Sequence, residues 1–358
     1  MLHPYRGLPD YQYWRRTVDS QNWLDVDPVS AHAKTLKLYP ATKVATAGSC
    51  FAQHIARSLI DQGYHYLKTE TAPLGDEQNP MYLQFSAAYG NVYTVTQLYQ
   101  LMRRAFGLFQ PDVNAWVNSN GRFVDPFRPG IREEGFATVD ELLEVQKSHL
   151  QAVRRVFEEC DVFIFTLGLT EGWLAKSDGA AIPVVPAAVD CGAFGELYEF
   201  RNARVTQMTS TMTNFLSDLR LINPSVDVIL TVSPVSLIAT YENQNVLLSN
   251  SYSKSALRVV AEELVQDHPY VSYFPSYEII SSHPSKGQFF ESDFRSVRPE
   301  GVAHVMRIFA KHHLSQETGD CLPTNPTSMH VDDQNIESVR KEYAAVSGVI
   351  CDEERLVG

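Results

Sequence analysis

The sequence predicts an α/β fold in which helices cover both faces of a parallel β-sheet. Short and almost wholly apolar segments, of which DVFIFTLG and VDVILTVSP are the clearest, are typical of strands buried on both faces. Amphipathic stretches of helical period separate them, and two begin with capping-box spacing, at Thr94 with Gln97 and at Thr138 with Glu141. Strands that alternate with helices favour a parallel sheet with helices on both sides.

The individual elements follow from the same patterns. The first predicted strand, KVATAG, leads through a Gly-Ser-Cys turn into a helix that ends near Gly63. Residues 68–92 are predicted to be a long loop, and residues 108–137 and 175–204 to be irregular insertions. The other elements are predicted in this order: a helix from Thr94 to Gly107, a helix after Thr138, the strand DVFIFTLG, a helix near 205–222, the strand VDVILTVSP, a helix near 251–265, the strand YVSYFPSYEII and a helix near 299–313.

One main domain with two peripheral segments is expected. Residues 1–40 are rich in Pro, Tyr and Trp without a lasting period, which predicts an extension packed on the main domain. Residues 41–317 hold the alternating elements and form the predicted domain. Residues 318–358 are polar and are predicted to be a C-terminal tail.

Charge and cysteine content exclude several classes of function. A formal net charge of −12 argues against electrostatic binding to nucleic acid or to an anionic membrane, so a small or neutral partner is expected. The five cysteines are odd in number and widely spaced, which favours free thiols in a reducing, cytoplasmic location. No segment approaches the ~18 apolar residues of a membrane span, and the first residues lack an apolar signal core.

Cofactor and metal motifs are absent from the sequence. Neither GxGxxG nor GxxxxGK[ST] occurs, so a dinucleotide site and a P-loop have no support. The adjacent histidines His312 and His313 face different directions on a helix and make a poor metal pair. We therefore expect neither a cofactor nor a metal, and the sequence does not predict an oligomeric state.

The strongest candidate site is the turn after the first strand, because ligands of open α/β sheets bind at the carboxyl ends of the strands. Ser49 and Cys50 stand there at a helix N-terminus, where the helix dipole lowers the pKa of a thiol and stabilises an oxyanion. His54, four residues beyond Cys50, could reach back as a base. The alternative is structural: Cys50 is a buried small residue, Ser49 a helix cap and His54 an ordinary helix histidine.

Three more strand ends carry polar residues. The first is YGNVYT, with Gly90 and Asn91. The glycine lets the backbone approach a ligand and the side-chain amide can donate a hydrogen bond, although an ordinary turn explains both residues as well. Thr170 and Glu171 follow DVFIFTLG, and the carboxylate could orient a histidine, bind substrate or cap the next helix. The segment before the last helix holds Asp293, Arg295, Arg298 and His304, with a solvated, capped helix start as the alternative.

The stretch AGSCFAQHIARSL resembles the signature of the GSCFA family, within the broader SGNH/GDSL esterase-like superfamily. The similarity runs from the N-terminal HPYRGLPDYQYW through GNVYT, FTLGLTEGW, SPVSL, SYSKSALR, YFPSYEII and DFRSVRPEGVAHVM, and so covers most of residues 3 to about 313. The resemblance implies a flavodoxin-like, doubly wound three-layer α/β/α sandwich, which is SGNH hydrolase-like.

The resemblance also implies roles for individual residues. Cys50 takes the place of the nucleophilic serine, and Ser49 that of the preceding aspartate. Gly90 and Gly168 match the second and third blocks, but Thr170 replaces the oxyanion asparagine, for which Asn91 could substitute. In the fourth block Asp293 matches, with Arg295 beside it, while Ser296 occupies the place of the histidine. The base would then be His54 or His304, oriented by Glu171 or Asp293.

These residues lead to one main hypothesis and two alternatives. The main hypothesis is an acyl esterase or O-acyltransferase that acts on an acylated carbohydrate or small metabolite through a nucleophile in the turn Gly48-Ser49-Cys50. The first alternative is a catalytically silent binding or scaffold protein linked to surface polysaccharide production, since Ser296 and Thr170 replace a base and an oxyanion donor. The second is a thiol redox sensor at Cys50.

Overall fold

The structure is a computed structural model that describes residues 3–18, 27–29, 35–74, 76, 79–192 and 195–315. The predicted tail 318–358 lies outside the described residues, and so do parts of the predicted extension 1–40. The end of that extension reaches the last helix, because the N–H of Leu38 donates to the carbonyl of His313 at 2.7 Å.

The described residues form nine strands and nine α-helices. The strands are β1 (Val44–Gly48), β2 (Trp116–Val117), β3 (Phe123–Val124), β4 (Val162–Leu167), β5 (Glu171–Ala175), β6 (Ala181–Ile182), β7 (Tyr198–Asn202), β8 (Asp227–Val232) and β9 (Val271–Phe274). The helices are α1 (Trp14–Thr17), α2 (Ala52–Asp61), α3 (Pro80–Gln84), α4 (Val95–Ala105), α5 (Val139–Glu159), α6 (Val205–Ile222), α7 (Val246–Asp267), α8 (Ser276–Ser281) and α9 (Pro299–His313).

The central sheet is parallel and has the order β1-β4-β8-β9. On the other side of β1, Tyr66 forms a parallel bridge with Val44, and the N–H of Leu67 donates to the Val44 carbonyl at 2.8 Å. The chain therefore leaves β1 in one direction to reach Tyr66 and then crosses to the opposite side to form β4. This reversal is the switch point of a flavodoxin-like sheet, and it lies between β1 and β4.

Side chains of the sheet alternate between two apolar cores. Phe163 and Phe165 of β4 pack with residues of α5, α6 and α7 on one face. Val162 and Ile164 of the same strand pack with residues of α2, α8 and α9 on the other. The predicted three-layer α/β/α sandwich is confirmed, because a strand buried on both faces needs a helical layer on each side.

Helix boundaries follow the capping signals, and the structure differs from the prediction at three elements. Thr94 and Gln97 form the predicted capping box of α4. Helix α7 begins earlier than predicted because the side chain of Asn245 accepts a hydrogen bond from the N–H of Leu247. Within the predicted loop 68–92, α3 forms behind an Asn79 cap. The predicted strand YVSYFPSYEII is too long: Pro275 ends it after Phe274, and α8 follows.

The two insertions form small antiparallel sheets. Strands β2 and β3 pair within residues 108–137. Strand β5 pairs with β6 on one side and with β7 on the other, so the region 175–204 is more regular than predicted. This three-stranded sheet follows directly from the carboxyl end of β4, and it therefore borders the switch point.

Candidate active site

Gly48 ends β1 in a conformation that only glycine adopts without strain. Its φ angle is +141°, and a Cβ atom placed on it would lie 2.5 Å from the carbonyl oxygen of Thr166. Gly48 pairs with Thr166 in the sheet, so the absence of a side chain lets the turn lie directly against β4.

Ser49 is buried, with 3% of its surface exposed, and its backbone N–H donates to the Thr166 carbonyl at 3.2 Å. Its hydroxyl has no hydrogen-bond partner among the described residues. The N-cap of α2 is Phe51, and no side chain caps this helix, so Ser49 is not the cap that the structural alternative requires. A buried hydroxyl without a partner costs about 1–3 kcal/mol of stability. Such a group calls for an explanation, and a hydrogen bond to a bound ligand is one.

Cys50 lies next to Ser49 and opens the turn into α2. Its thiol is not in a disulfide, and 7% of its surface is exposed. The first N–H groups of α2 face this turn: that of Gln53 donates to the Cys50 carbonyl at 3.2 Å. The turn thus places the thiol next to the N-terminus of α2, the positive end of the helix dipole.

The loop that holds Gly90 and Asn91 is joined to the turn at two points. The N–H of Val92 donates to the Gly48 carbonyl at 2.8 Å. The side-chain Nε2 of Gln53, on α2, donates to Oδ1 of Asn91 at 3.1 Å, and both side chains are buried. Gly90 has a φ angle of +71°, which lets the loop bend toward the turn. The structure thus brings together the first two predicted segments.

Gly168 brings the end of β4 against Ser49. A Cβ atom on Gly168 would lie 3.1 Å from Cβ of Ser49 and 3.1 Å from the carbonyl oxygen of Tyr93. Its N–H donates to that Tyr93 carbonyl at 3.1 Å, so it is occupied by the fold. Gly168 therefore lets β4 approach Ser49 closely. Because its N–H is already bonded, another residue must donate the hydrogen bond to an oxyanion.

Thr170 keeps a hydroxyl where the resemblance implies an asparagine. Its N–H donates to the hydroxyl oxygen of Ser253 at 3.2 Å. Its own Oγ1 is buried and has no hydrogen-bond partner within the described part of the chain, and the same holds for Oγ1 of Thr166 and Oε1 of Gln53. Ser49, Thr166 and Thr170 belong to the ends of β1 and β4 or to the residues that follow them.

His54 lies half-buried on α2, and its ring packs edge-on against Phe51 at a centroid distance of 5.5 Å. Burial, and secondarily the positive charge of Arg57, lower the pKa of His54 to about 4. The imidazole is therefore neutral at pH 7, which is the protonation state that a general base needs.

Glu171 opens β5 and does not cap a helix. One carboxylate oxygen accepts a hydrogen bond from the Thr240 hydroxyl at 2.7 Å, and the other accepts from the N–H of Tyr241 at 3.2 Å. Burial raises the pKa of Glu171 despite these bonds. The carboxylate is thus held by the segment that follows β8, and no histidine of the described residues is hydrogen-bonded to it.

The segment before α9 closes on itself. Oδ1 of Asp293 accepts from the N–H groups of Arg295 and Ser296 at 2.9 Å each, and Oδ2 accepts from the Ser296 hydroxyl at 2.6 Å. The Ser296 hydrogen bond, more than any other contact, lowers the pKa of Asp293. Nε of Arg295 donates to the Ser236 carbonyl at 3.0 Å, and Arg298 is the N-cap residue of α9.

His304 belongs to the packing of α9. Its ring stacks on Phe289 at 5.1 Å, and its Nδ1 lies 2.8 Å from Nη2 of Arg307. Because a guanidinium only donates, Nδ1 of His304 accepts that hydrogen bond and carries no proton in this arrangement.

The GSCFA family model matches residues 43–309. The chain belongs to the GSCFA family. No curated protein gives a match. Among solved structures, a chain described as a "putative GDSL-like lipase" from Parabacteroides merdae ATCC 43184 is 12% identical, with a TM-score of 0.30; the likeness covers 78% of this chain and 98% of that one.

Two further residues of this GSCFA protein touch the site, and the sequence analysis missed both. Nζ of Lys254, on α7, donates to the Gly168 carbonyl at 3.0 Å, and the side chain is 1% exposed. Gln53 holds Asn91. A signal for Lys254 was present, because it lies at helical spacing from Leu257 and Ala261 on the buried face of α7.

The described residues of the GSCFA protein contain neither a cluster of metal-ligating side chains nor a helix that could cross a membrane. No three or more His, Cys, Asp or Glu side chains there are grouped to hold a metal ion. Within the same residues, no helix combines the length and the apolar character needed to cross a membrane.

Proposed function

We propose that this GSCFA protein is an acyl esterase or O-acyltransferase whose nucleophile lies in the turn Gly48-Ser49-Cys50. The observation that supports this most is the position of the turn at the switch point, where it is hydrogen-bonded to the Asn91 loop and in contact with Gly168. Orphan hydroxyls around it, those of Ser49 and Thr170, are groups that a substrate would satisfy.

In the proposed reaction, the Cys50 sulfur attacks the acyl carbonyl carbon while neutral His54 takes the thiol proton. The tetrahedral oxyanion is stabilised by the N–H of Cys50, the Asn91 amide and the Thr170 hydroxyl. The C–O ester bond then breaks, and His54 returns the proton to the leaving alkoxide. Water, or the hydroxyl of an acceptor, attacks the thioester, loses its proton to His54 and frees the thiol.

Two features of the assignment follow from the contacts. No hydrogen bond within the described residues joins His54 to Glu171 or to Asp293, so we assign neither carboxylate as its orienting partner. Ser49 is the alternative nucleophile, because its buried hydroxyl has no hydrogen-bond partner in the described part of the chain and its side chain adjoins Gly168. An acylated carbohydrate or small metabolite as substrate, and a cytoplasmic location, are part of the proposal. Cys160 and Cys191, which form no disulfide within the described residues, support a reducing compartment.

The test is release of nitrophenol from p-nitrophenyl esters by the purified full chain. We expect Cys50→Ala to lower kcat/KM by about 10³-fold or more. Cys191→Ala is the matched control, since Cys191 is unpaired and lies in the insertion near β7. If Cys50→Ala and Ser49→Ala both keep full turnover, the proposal is wrong.

A second function, a catalytically silent binding or scaffold protein linked to surface polysaccharide production, is favoured by the loop before α9. There Ser296 stands in place of a histidine and closes on Asp293. This function predicts saturable binding of an acylated oligosaccharide, measured by calorimetry, with no acyl release and no change on Cys50→Ala.

A further inference from the structure

A cavity of about 260 Å³ lies next to the segment that follows β4. Its walls come from three places: the residues that begin α4, the three-stranded sheet β5–β7 with its connections, and the segment that follows β8. Tyr93 and Leu169 line it. Both are next to Gly168, because the N–H groups of Gly168 and Leu169 donate to the Tyr93 carbonyl at 3.1 and 3.0 Å. Gly168 in turn contacts Ser49.

One wall of the cavity is aromatic and closely packed. The ring of Trp173 lies 4.8 Å from that of Tyr241 and 5.6 Å from that of Phe200, and the latter two are 5.3 Å apart. Rings at these distances touch one another, so a cation does not fit between them as it does in an aromatic cage. The three rings form an apolar wall, and Ile182, Val184 and Leu237 continue it.

Several polar side chains of the lining are already hydrogen-bonded within the fold. Glu171 accepts from Thr240 and Tyr241. Thr94 and Gln97 bond to each other's backbone N–H groups in the capping box. These bonded side chains offer a sugar little in exchange for its hydrogen bonds to water, whereas an alkyl chain gains from leaving water for the apolar residues of the lining.

We propose that this cavity binds the acyl chain of the substrate, an apolar chain of about six to ten carbon atoms. The size follows from comparison with a cavity of about 150 Å³ that holds one benzene ring. The inference rests on the proposed function, because the chain is placed beside the nucleophile through Gly168. Sheet β5–β7 would thereby determine which acyl groups the protein accepts.

The test measures binding without turnover, in the full-length double variant Ser49→Ala with Cys50→Ala. Calorimetry compares methyl octanoate, methyl butyrate, methyl acetate and methyl glucoside. We expect methyl octanoate to bind about 30-fold or more tightly than methyl acetate. Binding of methyl glucoside more tightly than methyl octanoate, or equal binding of the three esters, would overturn the proposal.

Substitutions that fill the cavity test whether methyl octanoate binds there. Val184→Phe places a ring in the lining, and Ala239→Phe does the same from an exposed lining position, should Val184→Phe not fold. Each is expected to weaken methyl octanoate binding by about tenfold. Val259→Phe, at an exposed position of α7 outside the cavity, is the matched control and should leave binding unchanged. Unchanged binding in the well-folded filled variants would overturn the proposal.

The outcomes separate the two proposals. If methyl octanoate binds as expected but p-nitrophenyl octanoate is not hydrolysed by the wild type, the proposed function is wrong and the apolar site stands. If short esters are hydrolysed and methyl octanoate does not bind, the proposed function stands and this inference is wrong.

Discussion

The turn Gly48-Ser49-Cys50 and the loop before α9 were both predicted from the sequence to be candidate sites, but they differ in how their polar groups are bonded. In the turn, the Ser49 hydroxyl is buried and unbonded within the described residues. In the loop, the exposed Asp293 carboxylate receives three hydrogen bonds from residues at most three positions away. Folding thus supplies hydrogen bonds to the polar groups of the loop but not to the Ser49 hydroxyl of the turn. A ligand that bonds to this hydroxyl would therefore be stabilised at the turn.

The largest expected effect is on the backbone of the turn. Gly48→Ala should lower the free energy of unfolding by about 3 kcal/mol or more, because the new Cβ would lie 2.5 Å from the Thr166 carbonyl oxygen at a φ angle of +141°. The control is Gly195→Ala, which meets no atom within 4 Å and should change stability by about 0.5 kcal/mol or less. Urea denaturation measures both, and equal effects would mean that the turn is not constrained as described.

The pH dependence of stability tests the state of His54. Its pKa in the folded protein, about 4, lies below the ordinary value of 6.5, so the unfolded chain takes up the proton first as the pH falls. The free energy of unfolding should therefore fall between pH 6.5 and pH 4, with a share of about 1–2 kcal/mol that His54→Gln removes. Urea denaturation at pH 7 and pH 5 measures that share. His283→Gln, exposed in the loop region, is the control, and an unchanged pH dependence in His54→Gln would contradict the assignment.

Replacement of two buried serines by alanine should affect the free energy of unfolding differently. Ser49→Ala removes an unbonded buried hydroxyl and should leave stability unchanged or raise it by up to about 1 kcal/mol. Ser285→Ala removes a buried hydroxyl that donates to the carbonyls of Ile280 and Ser282, and should lower stability by about 1 kcal/mol. Thermal or urea denaturation compares them. A clear loss of stability in Ser49→Ala would show that its hydroxyl is satisfied.

The smallest effect is expected in the loop before α9. Asp293→Ala should change the free energy of unfolding by about 0.5 kcal/mol or less, because water can replace the carboxylate at exposed N–H groups. Ester turnover should change by less than about threefold. If Asp293→Ala abolishes turnover while the protein stays folded, the loop carries a catalytic carboxylate and the contrast with the turn fails.

The layered fold could be predicted because its signals are local. Apolar strands such as β4 and capping boxes such as Thr94 with Gln97 identify themselves within a few residues. The error at α8 arose because the apolar residues of YVSYFPSYEII suit a strand or a helix, and Pro275 decided the outcome.

The composition of the site was less predictable, since it depends on contacts between distant segments. Gln53 and Asn91 are buried together although 38 positions separate them. Lys254 reaches Gly168 from α7 across 86 positions. Helical spacing indicates that a residue is buried, but only the tertiary fold determines what it contacts.

The most direct test of the account is to map covalent labels after brief treatment of the folded protein with iodoacetamide and, separately, with a fluorophosphonate. Wild type, Ser49→Ala, Cys50→Ala and His54→Gln are compared by intact mass and peptide mapping. We expect an adduct on Cys50, or on Ser49, that forms faster than on the more exposed Cys191, whose pKa is raised to about 11 by burial and by Asp190, and that diminishes in His54→Gln. Labelling of Cys50 no faster than Cys191, together with an unlabelled Ser49, would contradict an activated nucleophile at the switch point.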